Sequence, residues 1–269
     1  MLIGCCTRIE NLGLVKEAGF DYIELAGKVV AKLAPQDFED LLQNSAKLNL
    51  PTLAANAYCD TDLIIAGPGF SEENTRNYAA HLARRAAALG MQVVNIGSPK
   101  SRILPDAYDR KLADQQALDF YRVTAAEFEK FGINVTIEAL AFAFCNYINT
   151  LDEAVELASR LSDSPNIGIV LDFYNMRGSG EGDADITKAS PYILHVHDSD
   201  DAGDPYLRSF YHPENEAVHM RDIQQLSLLG YEGLISVETD VVFDIEQARY
   251  SIQVIRSGWN KDQINHLPK

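Results

Sequence analysis

Four apolar runs in this chain end on a side chain that can hold a cation or move a proton: INVTIE on Glu138, IGIVLD on Asp172, YILHVH on His197 and LISVE on Glu238. Within a strand, successive side chains alternate between faces. Thr136 and Glu138 therefore share a face, as do Gly168, Val170 and Asp172, then His195 and His197, then Ser236 and Glu238. Val135, Ile137, Ile169, Leu171, Ile235 and Val237 fall on the opposite face, where helices can cover them. Three gathered carboxylates repel one another, and each costs several kcal/mol if buried unpaired. A divalent cation removes that penalty. The pattern points to a metal site made of Glu138, Asp172, His197 and Glu238.

The elements that must position these residues alternate strictly. MLIGCC, FDYIEL, LPTLAANAY, MQVVNIG, INVTIE, IGIVLD, YILHVH and LISVE read as strands. Helical spacing runs through IENLGLVKEAG, PQDFEDLLQNSAKLN, SEENTRNYAAHLARRAAALG, roughly 110–131, TLDEAVELASRL and DIEQARYSIQVIRSG. Ser71 is placed to cap the helix it opens, and Thr150 with Glu153 makes a capping box. After the sixth strand, FYNMRGSGEGDAD reads as a loop, and a long acidic loop follows the seventh. One phrase recurs, an apolar helix end, a glycine and then a strand, which assigns Gly19, Gly90, Gly132 and Gly230 to left-handed helix-closing positions. Short returns between alternating strands and helices mean parallel strands. Eight such units match a (β/α)8 TIM barrel, a fold of about 250 residues, and no GxGxxG follows the first strand to favour an open sheet. No linker divides residues 1–269, so the expectation is a single α/β domain.

Composition narrows the partners. The 23 basic and 39 acidic residues leave a net charge of −16, which disfavours nucleic acid or an anionic membrane. Cys5, Cys6, Cys59 and Cys145 show no metal-binding spacing, and neighbours on a strand point apart, so reduced thiols in a cytoplasmic protein are expected. The apolar part of the N-terminus is short for a signal peptide, and no run approaches the ~20 apolar residues of a membrane span. Oligomeric state is left open, a homo-oligomer included.

Taken in order, GSPKSRILP, FGINVTIEAL, CNYINTLDEA, LDFYNM, HVHDSD and GYEGLISVET resemble the xylose isomerase-like TIM barrels. Within them they resemble the sugar (phosphate) isomerase/epimerase branch of ketohexose 3-epimerases and hydroxypyruvate isomerase-like enzymes. The resemblance implies that Glu138, Asp172, His197 and Glu238 bind one manganese, cobalt, magnesium or zinc ion. It also implies that Glu138 and Glu238 are the catalytic pair, moving protons on opposite faces of a substrate carbon while an enediolate forms against the cation. Three positions depart from the epimerase pattern: Phe144 where the family often has a second Glu, Asn175 where it often has a His, and Gly203 where it often has an Arg. All three normally contact substrate oxygens. With Phe142, Phe144, Phe173 and Tyr174 near the mouth, the pocket is expected to take a less polar or differently hydroxylated ligand.

Several residues carry two readings. His212 lies where a family loop closes near the metal, and an exposed loop histidine is the alternative. Arg102 could meet a phosphate or hydroxyl, or brace a loop. Glu24, ending the second strand, could hold the barrel rim or bind ligand. His195 lies one layer beneath His197 and reads as a hydrogen-bonded barrel residue. Asn146 and Asn149 read as turn builders, the phenylalanines of ALAFAF as packing, His219 as a helix start, and His81 and His266 as structural or exposed. The leading function is metal-dependent isomerisation or epimerisation of a small carbohydrate-like ketose or polyol-derived substrate. A dehydratase on the same barrel and a non-catalytic sugar-binding protein are the alternatives. An apurinic endonuclease ranks low, because the third and fourth strands offer no further histidine ligands and the charge opposes DNA.

Overall fold

Eight parallel strands close on themselves, and a helix follows each of them. The computed structural model describes residues 1–204 and 206–259, so the expectation for His266 lies outside the described residues. In chain order the elements are β1 (Leu2–Cys6), α1 (Leu12–Ala18), β2 (Tyr22–Ala26), α2 (Gly27–Lys32), α3 (Pro35–Leu48), β3 (Thr52–Asn56), α4 (Glu72–Leu89) and β4 (Val93–Ile96). The second half runs α5 (Arg110–Glu129), β5 (Asn134–Glu138), α6 (Leu151–Ser159), β6 (Ile167–Asp172), α7 (Phe173–Gly178) and β7 (Ile193–Asp198). A small antiparallel hairpin, β8 (Asp200–Asp201) with β9 (Arg208–Ser209), precedes α8 (Glu216–Leu228), β10 (Leu234–Glu238) and α9 (Ile245–Gly258). Strands β1 to β7 and β10 form the closed barrel in sequence order, β10 pairing with both β7 and β1. This is the (β/α)8 architecture that the alternation predicts.

The main core lies between barrel and helices. Val135, Ile137, Ile169, Leu171, Ile235 and Val237 pack there, as their alternation requires. Burying each such side chain contributes roughly 1.5–3 kcal/mol. Inside the barrel the character changes along the axis. Tyr22, Leu53, Ala54, Val93 and Leu234 form a separate apolar cluster, while the inward residues farther along β2, β4, β5, β7 and β10 are Glu24, Asn95, Thr136, His195 and Ser236, all buried. Tyr22 reaches across this boundary to Ser236, with its hydroxyl 2.8 Å from Ser236 Oγ.

Local signals are kept. Ser71 Oγ accepts from Asn74 N, and Thr150 with Glu153 makes the reciprocal box at α6. Gly19, Gly90, Gly132 and Gly230 have φ of 98°, 79°, 68° and 72°, where a side chain would be strained. One segment differs from the sequence expectation: FYNMRG is not loop but the short helix α7, because Asp172 caps it by accepting from Asn175 N. Phe173 is consequently buried in the core and not at the mouth. Phe142 corrects the packing expectation in the other direction, being 61% exposed. All four cysteines are free and buried. No helix among the described residues is long and apolar enough to cross a membrane.

Candidate active site

The site sits at the C-terminal ends of β5, β6, β7 and β10, the end at which TIM barrels carry their chemistry. Asp172 and His197 are register partners on β6 and β7, and Ser236 pairs with His197 so that Glu238 ends the next strand two residues on. Glu138, Asp172 and His197 each offer a ligand atom, and these atoms lie within 4.8 Å of one another. Glu238 stands beside them, its Oε2 4.0 Å from His197 Nδ1. Glu138, Asp172 and His197 are buried, and Glu238 is half-buried. The structure thus brings three of the four sequence-predicted ligands close enough together to share one ion and leaves Glu238 beside them.

Each acid is restrained through a carboxamide. Asn175 Nδ2 donates to Glu138 Oε1 at 3.0 Å and to Asp172 Oδ2 at 2.6 Å, so it ties β5 to β6. Asn56 Nδ2 donates to Glu238 Oε1 at 2.9 Å. Glu138 Oε2 points at Gly97, where a Cβ would stand only 2.2 Å away. The glycine after β4 is therefore a cradle for this carboxylate.

A cation side chain also enters the site. Arg208, on β9, places Nη2 3.4 Å from Asp172 Oδ2 and 3.3 Å from Asn175 Oδ1, and its Nε lies 3.7 Å from Glu238 Oε2. Its guanidinium lies over Tyr174 at 3.7 Å and near Phe144 at 5.8 Å. Arg208 Nη1 is buried with no hydrogen-bond partner among the described residues.

Crowding sets the protonation states. Burial, then Asp172, then Glu238 push Glu138 up to about 8, against the pull of His197 and Arg208. Burial also raises Glu238, opposed by Arg208 and His197. Burial opposes charge on His197, yet Glu24, Glu238 and Glu138 outweigh it and lift the imidazole to about 10. These are the marks of an anionic cluster short of positive charge.

Below the cluster, Glu24 is enclosed by two imidazoles and an amide. Its Oε2 is 2.9 Å from His195 Nε2, its Oε1 is 3.0 Å from His197 Nε2, and Asn95 Nδ2 donates to Oε1 at 2.7 Å. Burial opposes its charge, but His197 and His195 outweigh that and hold its carboxyl well below the usual range. Burial lowers His195, in spite of Glu24. Glu24, His195 and His197 also lie close enough together to hold an ion.

The family model described as Xylose isomerase-like TIM barrel matches residues 12–258. The chain belongs to that family. A curated relative, the inosose isomerase of Halalkalibacterium halodurans, is 31% identical over 116 residues, a match covering 40% of this chain and 40% of the relative. Among solved structures, an L-ribulose 3-epimerase superposes with a TM-score of 0.80 at 17% identity, covering 99% of each chain. The IOLI protein, solved with a bound zinc atom, superposes with a TM-score of 0.68 at 18% identity, covering 96% of each chain.

Phe144 borders the site through Arg208 and meets Tyr206 edge-on at 5.5 Å. A cavity of about 380 Å³ opens beside it, lined among others by Tyr174, Arg177, Asp201 and Asn215. Asn175 turns its amide onto Glu138 and Asp172. Arg102 is fully buried and donates from Nη2 to the Glu138 carbonyl at 2.7 Å, a bracing contact on the strand that carries the acid. His212 faces Ser209 Oγ at 3.2 Å and Glu214 at 3.9 Å, and its backbone N–H donates to Asp200 Oδ2 at 2.6 Å, so its described contacts are with the β8–β9 hairpin and its own loop. Asn146 and Asn149 brace loops: Asn146 bonds Leu104 in both directions, and Asn149 donates to the carbonyls of Leu140 and Cys145. His219 lies within α8, between Asp198 at 2.7 Å and Asp200 at 3.1 Å, and His81 meets the Ala31 carbonyl.

The sequence reading missed Arg208. Its position looked vacant because Gly203 stands where the epimerases often have an arginine. Gly203, with φ of 82°, instead turns the hairpin that returns Arg208 to the cluster. The signal available was a lone arginine, Arg208, in the acidic stretch that follows the seventh strand.

Proposed function

We propose that the protein is a divalent-metal-dependent isomerase or epimerase of a small sugar, ketose or related polyol-derived substrate. One observation carries this reading: two acids, Glu138 and Glu238, stand on strands separated by β6 and β7, with Asp172 and His197 between them. Glu138, Asp172, His197 and Glu238 would hold the cation. The residues fit it, since His197 Nδ1 is buried without a hydrogen-bond partner among the described residues, Gly97 leaves room for the Glu138 carboxylate, and the acids are crowded. When bound, the cation polarises a carbonyl and its neighbouring hydroxyl, which eases loss of the adjacent C–H proton. The IOLI structure with zinc supports a cation on this barrel, and the inosose isomerase and L-ribulose 3-epimerase support the reaction class.

The chain's own residues then divide the work. Glu138 and Glu238 approach a carbon held between them from opposite faces, so one can take its proton while the other returns one. Asn175 and Asn56 each pin one oxygen of these acids and leave the other oxygen for the proton. Arg208 Nη1 supplies a donor for a substrate oxygen, the task that Gly203 cannot perform. Phe144 and Tyr174 give the pocket apolar walls, and Arg177, a further cation at the cavity, is already held by Asp198 and Asp222 at 2.7 Å each. That favours an uncharged carbohydrate. The net charge of −16 and four buried thiols support a cytoplasmic protein that does not bind nucleic acid.

The test is a panel of ketoses, ketose phosphates and keto-polyols incubated with manganese-loaded protein, with products identified by NMR. A stereoisomer or carbonyl-shifted isomer is expected. Loss of water with a conjugated chromophore would replace the reading with a dehydratase, and binding without any product would replace it with a sugar-binding protein.

A further inference from the structure

The strongest feature outside the reacting acids is Glu24, a carboxylate with 0% exposure that no step above uses. Its surroundings are ordered from one end. Thr136 Oγ1 donates to Asn95 Oδ1 at 2.6 Å, which fixes the Asn95 carboxamide with its nitrogen toward Glu24. Glu24 Oε1 accepts from Asn95 and so carries no proton of its own. His197 Nε2, 3.0 Å from that oxygen, must therefore bring the proton of their hydrogen bond, and His195 Nε2 stands 2.9 Å from Oε2. Without a cation the acids favour a second proton on His197; a cation takes that proton's place, and the imidazole that keeps its proton on Nε2 offers its lone pair from Nδ1. His195 Nδ1 and His197 Nδ1 are both buried with no hydrogen-bond partner among the described residues, and of the two it is His197 Nδ1 that has an acid of the site beside it, Glu238 Oε2 at 4.0 Å.

We propose that Glu24 is a positioning residue that holds His197 as the Nε2–H tautomer, with Nδ1 presented to the cation. The inference rests on the cation reading given above. His195 serves the same carboxylate from the other side: it occupies Oε2 and stops Glu24 from rotating away from His197. Glu24, His195 and His197 lie close enough to bind a second ion, but three donors already surround the carboxylate. His197 Nε2 spends its proton on it, so its lone pair is not offered to an ion in that space. The group supports the metal site above it and is not a second one. A ligand histidine oriented in this way loses roughly 10- to 100-fold in metal affinity when its outer partner is removed.

Two measurements test this. In wild-type protein labelled with 15N-histidine and loaded with zinc, long-range 1H–15N correlation should show His197 protonated on Nε2 and metal-bound through Nδ1. The opposite assignment overturns the proposal. In Glu24→Gln the amide must turn an NH2 group toward one of the imidazole donors, and titration calorimetry should find zinc and manganese binding weakened ~10- to 100-fold. A purely structural role would lower the melting temperature and leave the affinity unchanged; a folded variant that binds within twofold of wild type overturns the proposal. Should the variant fail to fold, the wild-type tautomer decides alone. Should wild-type protein bind neither metal, the cation reading fails and takes this inference with it. Normal wild-type binding with an unaltered variant sinks only the role of Glu24.

Discussion

Gly97→Ala displaces the Glu138 carboxylate without changing any charge. The added Cβ would stand 2.2 Å from Glu138 Oε2 and 3.1 Å from its Cδ, where ordinary contact begins near 3.4 Å. The carboxylate must retreat by about 1.2 Å to restore that contact. Gly97 does not occupy the left-handed region, so alanine brings no backbone strain, and the obstructing atoms are the end of a flexible side chain. The fold should survive with less than ~1 kcal/mol lost, a shift in melting temperature of about 2–4 °C at most. Function should not survive, because a misplacement of ~1 Å can cost ~100-fold, equivalent to roughly 2.7 kcal/mol of transition-state stabilisation. The assay pairs a melting curve with manganese affinity and with the rate at which a bound ketose exchanges its acidic C–H with solvent. A variant that melts normally yet exchanges within threefold of wild type would refute the placement of Glu138 at the reacting carbon.

Other outcomes follow from the same geometry. Adding manganese to chelated protein at ~100 times its dissociation constant should stabilise it by ~2.7 kcal/mol, and Asp172→Asn should abolish most of that rise; a melt insensitive to manganese contradicts the site. Arg208→Met should tighten manganese binding several-fold, because a positive charge near Asp172 and Glu238 is removed, while turnover falls; weaker metal binding would show that Arg208 does not compete with the cation. The Asp198–His219 pair gives a pH signature. Burial opposes charge on His219, but Asp198 and Asp200 outweigh it and raise it from 6.5 to about 9. A raised pKa stabilises fully below about 6.5 and loses that stability as pH climbs through 9, here ~3 kcal/mol at 1.36 kcal/mol per unit. Glu138 and His197 also lose stability between pH 6 and pH 9.5, so the comparison is between proteins: urea denaturation should show a fall smaller by ~3 kcal/mol in His219→Gln than in wild type, and equal falls would remove His219 as a contributor.

What could be read beforehand was set by short-range regularities. Strand alternation has a period of two, so Glu138, Asp172, His197 and Glu238 shared an inward face before any packing was known. Helix-closing glycines and the Thr150–Glu153 box are local chemistry, and both appear where expected. The missed features depend on contacts that sequence distance hides. Glu24 could not be decided because its partners His195 and His197 are 171 and 173 residues away. Arg208 could not be placed because a turn at Gly203, and not a fixed offset from His197, returns it to the acids. Phe173 was misplaced because Asp172 was read as a ligand alone, although it also caps α7 and so rotates Phe173 into the core. Asn175, read as a lost substrate contact, is turned by that same cap onto Glu138 and Asp172.

The most direct test of the central claim is deuterium uptake by NMR in manganese-loaded protein, over ketoses, their phosphates and keto-polyols bearing adjacent carbonyl and hydroxyl groups. Glu138→Gln and Glu238→Gln are run beside wild type at saturating manganese, so that loss of the ion is not mistaken for loss of the acid. At least one ligand should exchange its acidic C–H in wild type, and each variant should slow that exchange by ~100- to 10,000-fold. Ligands that bind the metal-loaded protein while none of them exchanges would contradict proton transfer between Glu138 and Glu238.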